Sequence, residues 1–212
     1  MKKTLFALAS VTLFAWSLFA SAADSAKVEF KGIPFGASQE TLLKKFSDFK
    51  CAGGTCNLYV DTEAEKKCQE NRGNDPKDII NIKRTLDCQR EYRNQMRYGP
   101  AAVQAYIVKF EGDKLGYVSI IFHSNWYRDV RDALVEKFGS QADEKMETVQ
   151  NRFGDNFENH MVTWKLGNDF VQIEERGAGI DSAAVRLVSG TFAGIDQEKM
   201  RRERAREAAR DL

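Results

Sequence analysis

Residues 103–122 read VQAYIVKFEGDKLGYVSIIF, and they decide the fold class. Val103–Phe110 and Leu115–Phe122 are rich in Val, Ile, Tyr and Phe, the residue types that fit a pleated, half-buried surface. Between them, Glu111-Gly-Asp-Lys114 is a hairpin loop. The pair predicts two antiparallel strands joined as a hairpin.

Working downstream, the period changes. A helix is predicted from Trp126 to Phe138, with Asn125 as candidate cap, Gly139 as stop and Val130, Leu134 and Phe138 as its buried stripe. A meander of strands follows: Met146–Phe153, Met161–Leu166, Phe170–Glu175 and Ala184–Ser189. Its turns are Gly154-Asp-Asn156, Gly167-Asn-Asp169 and Gly177-Ala-Gly179.

Working upstream, 28–35 reads as a strand ended by Pro34-Phe-Gly36, and 38–47 as a short amphipathic helix capped by Ser38. Leu42, Leu43 and Phe46 share one face of it. Thr41-Leu-Leu-Lys-Lys-Phe46 matches Ala133-Leu-Val-Glu-Lys-Phe138, a weak internal repeat. The expected fold class is therefore α+β: helices packed on antiparallel sheet, as two tandem helix-plus-sheet units, 28–123 and 115–190.

Residues 57–98 read as a helical insertion, highly charged and poor in strand formers. A helix-prone stretch runs from Thr62 to Arg72. After the break at Gly73-Asn-Asp-Pro76 a second helix runs to Asn94, with Ile79, Ile82 and Leu86 facing inward.

All four cysteines lie in or beside this region: Cys51, Cys56, Cys68 and Cys88. Their spacing does not suit zinc, and neither histidine is near in sequence. An even count in an exported chain implies two disulfides. Cys51–Cys56 with Cys68–Cys88 brackets the loop Ala52-Gly-Gly-Thr55 and ties the insertion to itself. The nested pairing, Cys51–Cys88 with Cys56–Cys68, would pin the insertion to the sheet and stands nearly equal.

Export is read from the first 22 residues. Lys2 and Lys3, an apolar run from Leu5 to Phe19 and Ala20-Ser-Ala22 have the three-part layout of a secretory signal peptide. That leaves an α+β domain at 23–194 and a charged helix or tail at 195–212. The tail's six basic and five acidic residues nearly cancel. Loss of the leader takes the formal charge from +1 to −1, a balance with no general attraction for nucleic acid or anionic lipid. The expected location is periplasmic or secreted, with no stable membrane insertion.

Motifs that carry chemistry are scarce. The chain has two histidines, His123 and His160, and no Gly-x-Ser-x-Gly elbow or phosphate-binding glycine loop. No catalytic, cofactor or metal residue is assigned. Trp126, Tyr127 and Arg128 at a helix start are the candidate protein-contact group.

Gly32-Ile-Pro-Phe-Gly-Ala-Ser-Gln-Glu-Thr-Leu42, Lys114-Leu-Gly-Tyr-Val-Ser-Ile120, Lys137-Phe-Gly139 and Trp164 resemble small bacterial envelope proteins. The layout over 28–47 and 103–190 is similar to the tandem helix-on-sheet modules of β-lactamase inhibitor proteins and of small outer-membrane assembly lipoproteins. The chain departs from the lipoproteins in having no lipid-bearing cysteine, and from both in its insertion. The resemblance implies a binding or assembly role and carries over no functional residue. Three readings follow: a non-enzymatic protein that binds an envelope partner through a sheet face or the insertion, a small-ligand carrier, and a hydrolase using His123 or His160.

Overall fold

The computed structural model describes residues 28–69 and 79–195. The expected leader at 1–22, the Gly73–Pro76 break and the charged tail beyond Ile195 lie outside the described residues.

Three two-residue turns begin the fold, because each has two consecutive residues able to take positive φ. Lys31-Gly32 (49° and 75°) joins β1 (Glu29–Phe30) to β2 (Ile33–Pro34). Gly53-Gly54 (56° and 78°) joins β3 (Lys50–Ala52) to β4 (Thr55–Tyr59). Gly112-Asp113 (54° and 61°) joins β5 (Val103–Glu111) to β6 (Lys114–His123). This is the type I′ geometry that matches the twist of antiparallel strands. It also corrects two expectations. Residues 28–35 form a small hairpin rather than one strand. Cys51–Cys56 is a strand pair rather than a loop.

The remaining elements are α1 (Gln39–Lys45), α2 (Val60–Gln69), α3 (Ile79–Gln95), a 3₁₀ turn at Ser124–Trp126, α4 (Tyr127–Phe138), β7 (Asp143–Gln150), β8 (Asn156–Leu166), β9 (Asp169–Gly179) and β10 (Ser182–Val188). β8 and β9 are longer than their apolar cores suggest, since their polar ends continue the ladder. The turn before β10 falls at Ile180-Asp181, past Gly177-Ala-Gly179, which stays in β9.

β3 to β10 form one antiparallel sheet in the order β3-β4-β5-β6-β10-β9-β8-β7. α1 and α4 each precede four of its strands. The two sets of four meet through their last members, β6 and β10, with Ile120 opposite Val185. The fold class is α+β, and all the pairing in the sheet is antiparallel.

Alternation along the strands sends one face into the core. Cys56, Leu58, Tyr106, Val108, Val118, Ile120, Val185, Leu187, Val171, Ile173, Val162 and Trp164 lie on that face and are buried. Leu42 of α1, Val60 and Ala64 of α2, Tyr92 of α3, and Val130 and Leu134 of α4 pack into the same cluster. The Trp164 indole N–H donates to the Gly139 carbonyl at 2.8 Å, fixing the end of α4 to the sheet.

The α2–α3 hairpin follows β4. Asn57, Leu58 and Tyr59 pair with β5, so the helical excursion begins at Val60, later than the sequence boundary at 57. The disulfides are Cys51–Cys56, across a β3–β4 pair, and Cys68–Cys88, between α2 and α3. α3 turns a different face inward from the one its isoleucines predict. Ile79 and Leu86 are 81% and 54% exposed and Ile82 is also exposed, while Thr85 and Tyr92 are buried. The stripe through Thr85, Cys88 and Tyr92 lies about 100° round the helix from Leu86. The crosslink to Cys68 turns that stripe toward α2, outweighing the apolar pattern.

Candidate functional site

The second face of the sheet is the candidate site. Register across the strands defines its residues in three rows. The central row runs Lys50, Asn57, Ile107, Ser119, Arg186, Gln172, Thr163, Asp143. On one side lies Tyr59, Ala105, Ile121, Ala184, Glu174, Met161, Lys145. On the other lies Ala52, Thr55, Lys109, Tyr117, Val188, Phe170, Lys165. The helices pack into the core on the opposite face. At one end a short helical segment at 190–195 sets the Phe192 ring 5.7 Å from that of Tyr117.

This face has an ordered polar centre. The Arg186 guanidinium pairs with the Glu174 carboxylate and donates to Gln172 Oε1 (3.2 Å) and to the Gly177 carbonyl (2.7 Å). Glu174 Oε1 also accepts from Asn159 Nδ2 (2.9 Å), and Asn159 Oδ1 accepts from the Arg176 amide (2.9 Å). Asn159 is fully buried. Burial works against the Arg186 charge, but the bond and attraction of Glu174 outweigh it, and its pKa is raised. Such a network holds its side chains in one arrangement.

Around this centre sit half-buried apolar groups: Ile107, Ile121, Tyr117, Met161 and Phe170. The margin is charged and exposed. Lys165 pairs with Asp143 (2.6 Å), Lys145 pairs with Glu147, and the Lys109 ammonium lies 5.0 Å from the Tyr117 ring centre. Half-buried apolar groups inside a charged, exposed margin are a feature of protein-contact surfaces.

The residues singled out from the sequence lie elsewhere. Tyr127 is buried and Trp126 half-buried, with the Arg97 guanidinium 5.6 Å from the Trp126 ring centre. The two rings therefore form no exposed pair, and Arg128 alone of the three is exposed. The reason is the 3₁₀ turn, which starts the helical path earlier and rotates Tyr127 onto the core. That turn is capped by His123, whose Nδ1 accepts from the Asn125 amide at 3.3 Å, so Asn125 is the capped residue and not the cap. His160 is on the helix-covered side of β8. Its Nε2 lies 3.2 Å from Glu144 Oε2 and its ring 5.8 Å from that of Tyr127. The two histidines contact different partners. Among the described residues no three His, Cys, Asp or Glu side chains gather to hold a metal, and no helix is long and apolar enough to cross a membrane.

Sequence reasoning missed the Arg186 network. Its signal was present: Gln172 and Glu174 alternate with Val171 and Ile173, and Arg186 interrupts the apolar run 183–188. Charge at every second position of a strand marks a face that is not core. No family model, curated protein or solved structure matches this chain.

Proposed function

We propose that this is an exported, non-enzymatic protein of the bacterial periplasm or exterior that binds another envelope protein through the helix-free face of its sheet. The observation that carries the reading is the Arg186–Glu174 network at the centre of that face, ringed by half-buried apolar side chains. A surface whose charges are already paired and oriented loses little side-chain freedom when a partner docks. The partner's chemistry follows from the margin. Asp143, Lys165, Lys145 and Glu147 are satisfied within the face, but Lys50 and Lys109 form no ion pair among the described residues. A partner with carboxylates opposite Lys50 and Lys109 and apolar groups opposite the ring around Arg186 is the matching surface. Two disulfides suit an oxidising compartment.

The test is affinity capture from a cell-envelope extract with the protein and with Lys109→Glu as baits. A partner recovered by the first and lost by the second supports the reading. A partner recovered equally by both, or none recovered, counts against it.

A further inference from the structure

A second concave site lies at the start of α4, between that helix and the strands β8 and β9. Its volume is about 480 Å³ and its walls are mostly polar. Arg128, Asp129 and Arg131 line it from the helix, and His160 and Glu175 from the sheet. Tyr127 lines its floor and keeps 7% of its surface exposed.

Two independent observations set this cavity apart. The first is the Tyr127 hydroxyl, which is buried and has no hydrogen-bond partner among the described residues. Burial raises its pKa, as do Glu175 and Glu144, while Arg131 works against them. It therefore remains an O–H donor with no acceptor, where buried hydroxyls are otherwise satisfied. Tyr127 forms part of the cavity wall together with Arg131 and Glu175.

The second is that opposite charges surround one space without neutralising one another. Arg128 and Asp129 form no ion pair among the described residues. Arg131 pairs with its chain neighbour Asp132 (3.1 Å), and Glu175 sits 3.9 Å from its chain neighbour Arg176. His160 is engaged with Glu144. A simple anion entering here would meet Asp129 and Glu175, and a simple cation would meet two guanidiniums. A molecule carrying both signs, with its charges separated, meets each wall favourably.

We propose that this cavity is a binding site for a small zwitterion bearing a carboxylate and an ammonium group. Arg128, Arg131 and the Tyr127 hydroxyl take the carboxylate, and Glu175 and Asp129 take the ammonium. The site is separate from the helix-free face, because His160 belongs to the helix-covered side of the sheet.

The experiment is an NMR titration of the labelled protein with ω-amino acids of increasing chain length, from glycine to 6-aminohexanoate. Acetate and methylammonium serve as half-probes. The expected result is saturable shifts at Tyr127, Arg131, His160 and Glu175 with at least one zwitterion, each half-probe binding about tenfold or more weakly. Tyr127→Phe removes only an unpaired hydroxyl, so it folds, and it weakens the zwitterion about tenfold. Three results would overturn the proposal: no saturable shift with any zwitterion, either half-probe binding as well as the zwitterions, or undiminished binding by Tyr127→Phe.

Discussion

The Tyr92 hydroxyl donates to the Asp48 carboxylate across 2.9 Å, and the same carboxylate holds the Lys67 ammonium at 2.7 Å. Asp48 sits in the turn between α1 and β3, Lys67 on α2 and Tyr92 on α3. One acid thus fastens both helices of the disulfide-linked hairpin to the body of the fold. The Lys67 ammonium also lies 5.3 Å from the Tyr92 ring centre, so the three groups support one another.

The first prediction concerns acid. Burial alone would raise the Asp48 pKa, but the bonds from Lys67 and Tyr92 outweigh it and hold it below the ordinary 3.8. A carboxyl depressed on folding contributes stability that is present above its unfolded pKa and lost as pH falls through the folded one. Asp48→Asn should cost about 2 kcal/mol at neutral pH. Its unfolding midpoint and that of the parent protein should converge as pH falls below about 4. A constant difference from neutral to acid pH would show that Asp48 does not anchor the hairpin through its charge.

The second concerns the crosslinks. Cys68 and Cys88 are 20 residues apart in sequence, and Cys51 and Cys56 are 5 apart. In the chain-entropy picture the longer loop gives the larger effect, about 3 kcal/mol against about 2 kcal/mol. Urea unfolding of the double serine variants should rank them in that order. The reverse order would mean that the edge hairpin, and not α2–α3, depends more on its crosslink.

The third concerns the polar centre of the open face. Arg186→Leu leaves Glu174 half-buried and without its cation, and should cost about 2 kcal/mol. Arg186→Leu with Glu174→Leu should recover most of that loss, since two apolar groups replace a pair instead of orphaning one member. If the double variant is as unstable as the sum of the singles, the pair is not coupled.

The fourth uses two glycines of the helical segment 190–195. A Cβ on Gly190 would lie 2.3 Å from the Asn168 carbonyl oxygen, whereas one on Gly194 would meet nothing within 4 Å. Gly190→Ala should lower stability by about 2 kcal/mol, and Gly194→Ala, at a helical site with room for the methyl group, should raise it by up to about 1 kcal/mol. Thermal melts of the two variants decide this, and equal melting points would contradict the packing of 190–195 on the β8–β9 turn.

Much of this architecture is legible in the sequence because local chemistry and tertiary structure agree there. Ser38 caps α1, its hydroxyl accepting the Thr41 amide at 3.3 Å, and Gly139 at φ 88° ends α4, as their residue types indicate. The 103–122 hairpin supplies β5 and β6, central members of the sheet. Sequence reading fails where a distant contact overrides a local pattern. Ile79, Ile82 and Leu86 have helical spacing, yet the bond from Cys88 to Cys68 turns α3 onto its Thr85–Tyr92 stripe. Of Trp126 and Tyr127 the sequence expects one to face the core without saying which, and the 3₁₀ turn makes it Tyr127 while leaving Trp126 half-buried. The candidate face was the least legible part. Its members are spread over eight strands, and a residue such as Arg186 becomes its centre only once the register brings Glu174 and Gln172 beside it.

The most direct measurement of the central claim is the affinity of a captured, purified partner for single variants placed on different surfaces. Tyr59→Ala, Ile107→Asp and Lys109→Glu alter the helix-free face. Ile79→Asp alters the α2–α3 hairpin, and Arg128→Glu the start of α4. The account predicts at least about a tenfold loss of affinity for the first three and no change for the last two. Full affinity in the first three, with the loss confined to Ile79→Asp or Arg128→Glu, would contradict it and move the interface to the helical side.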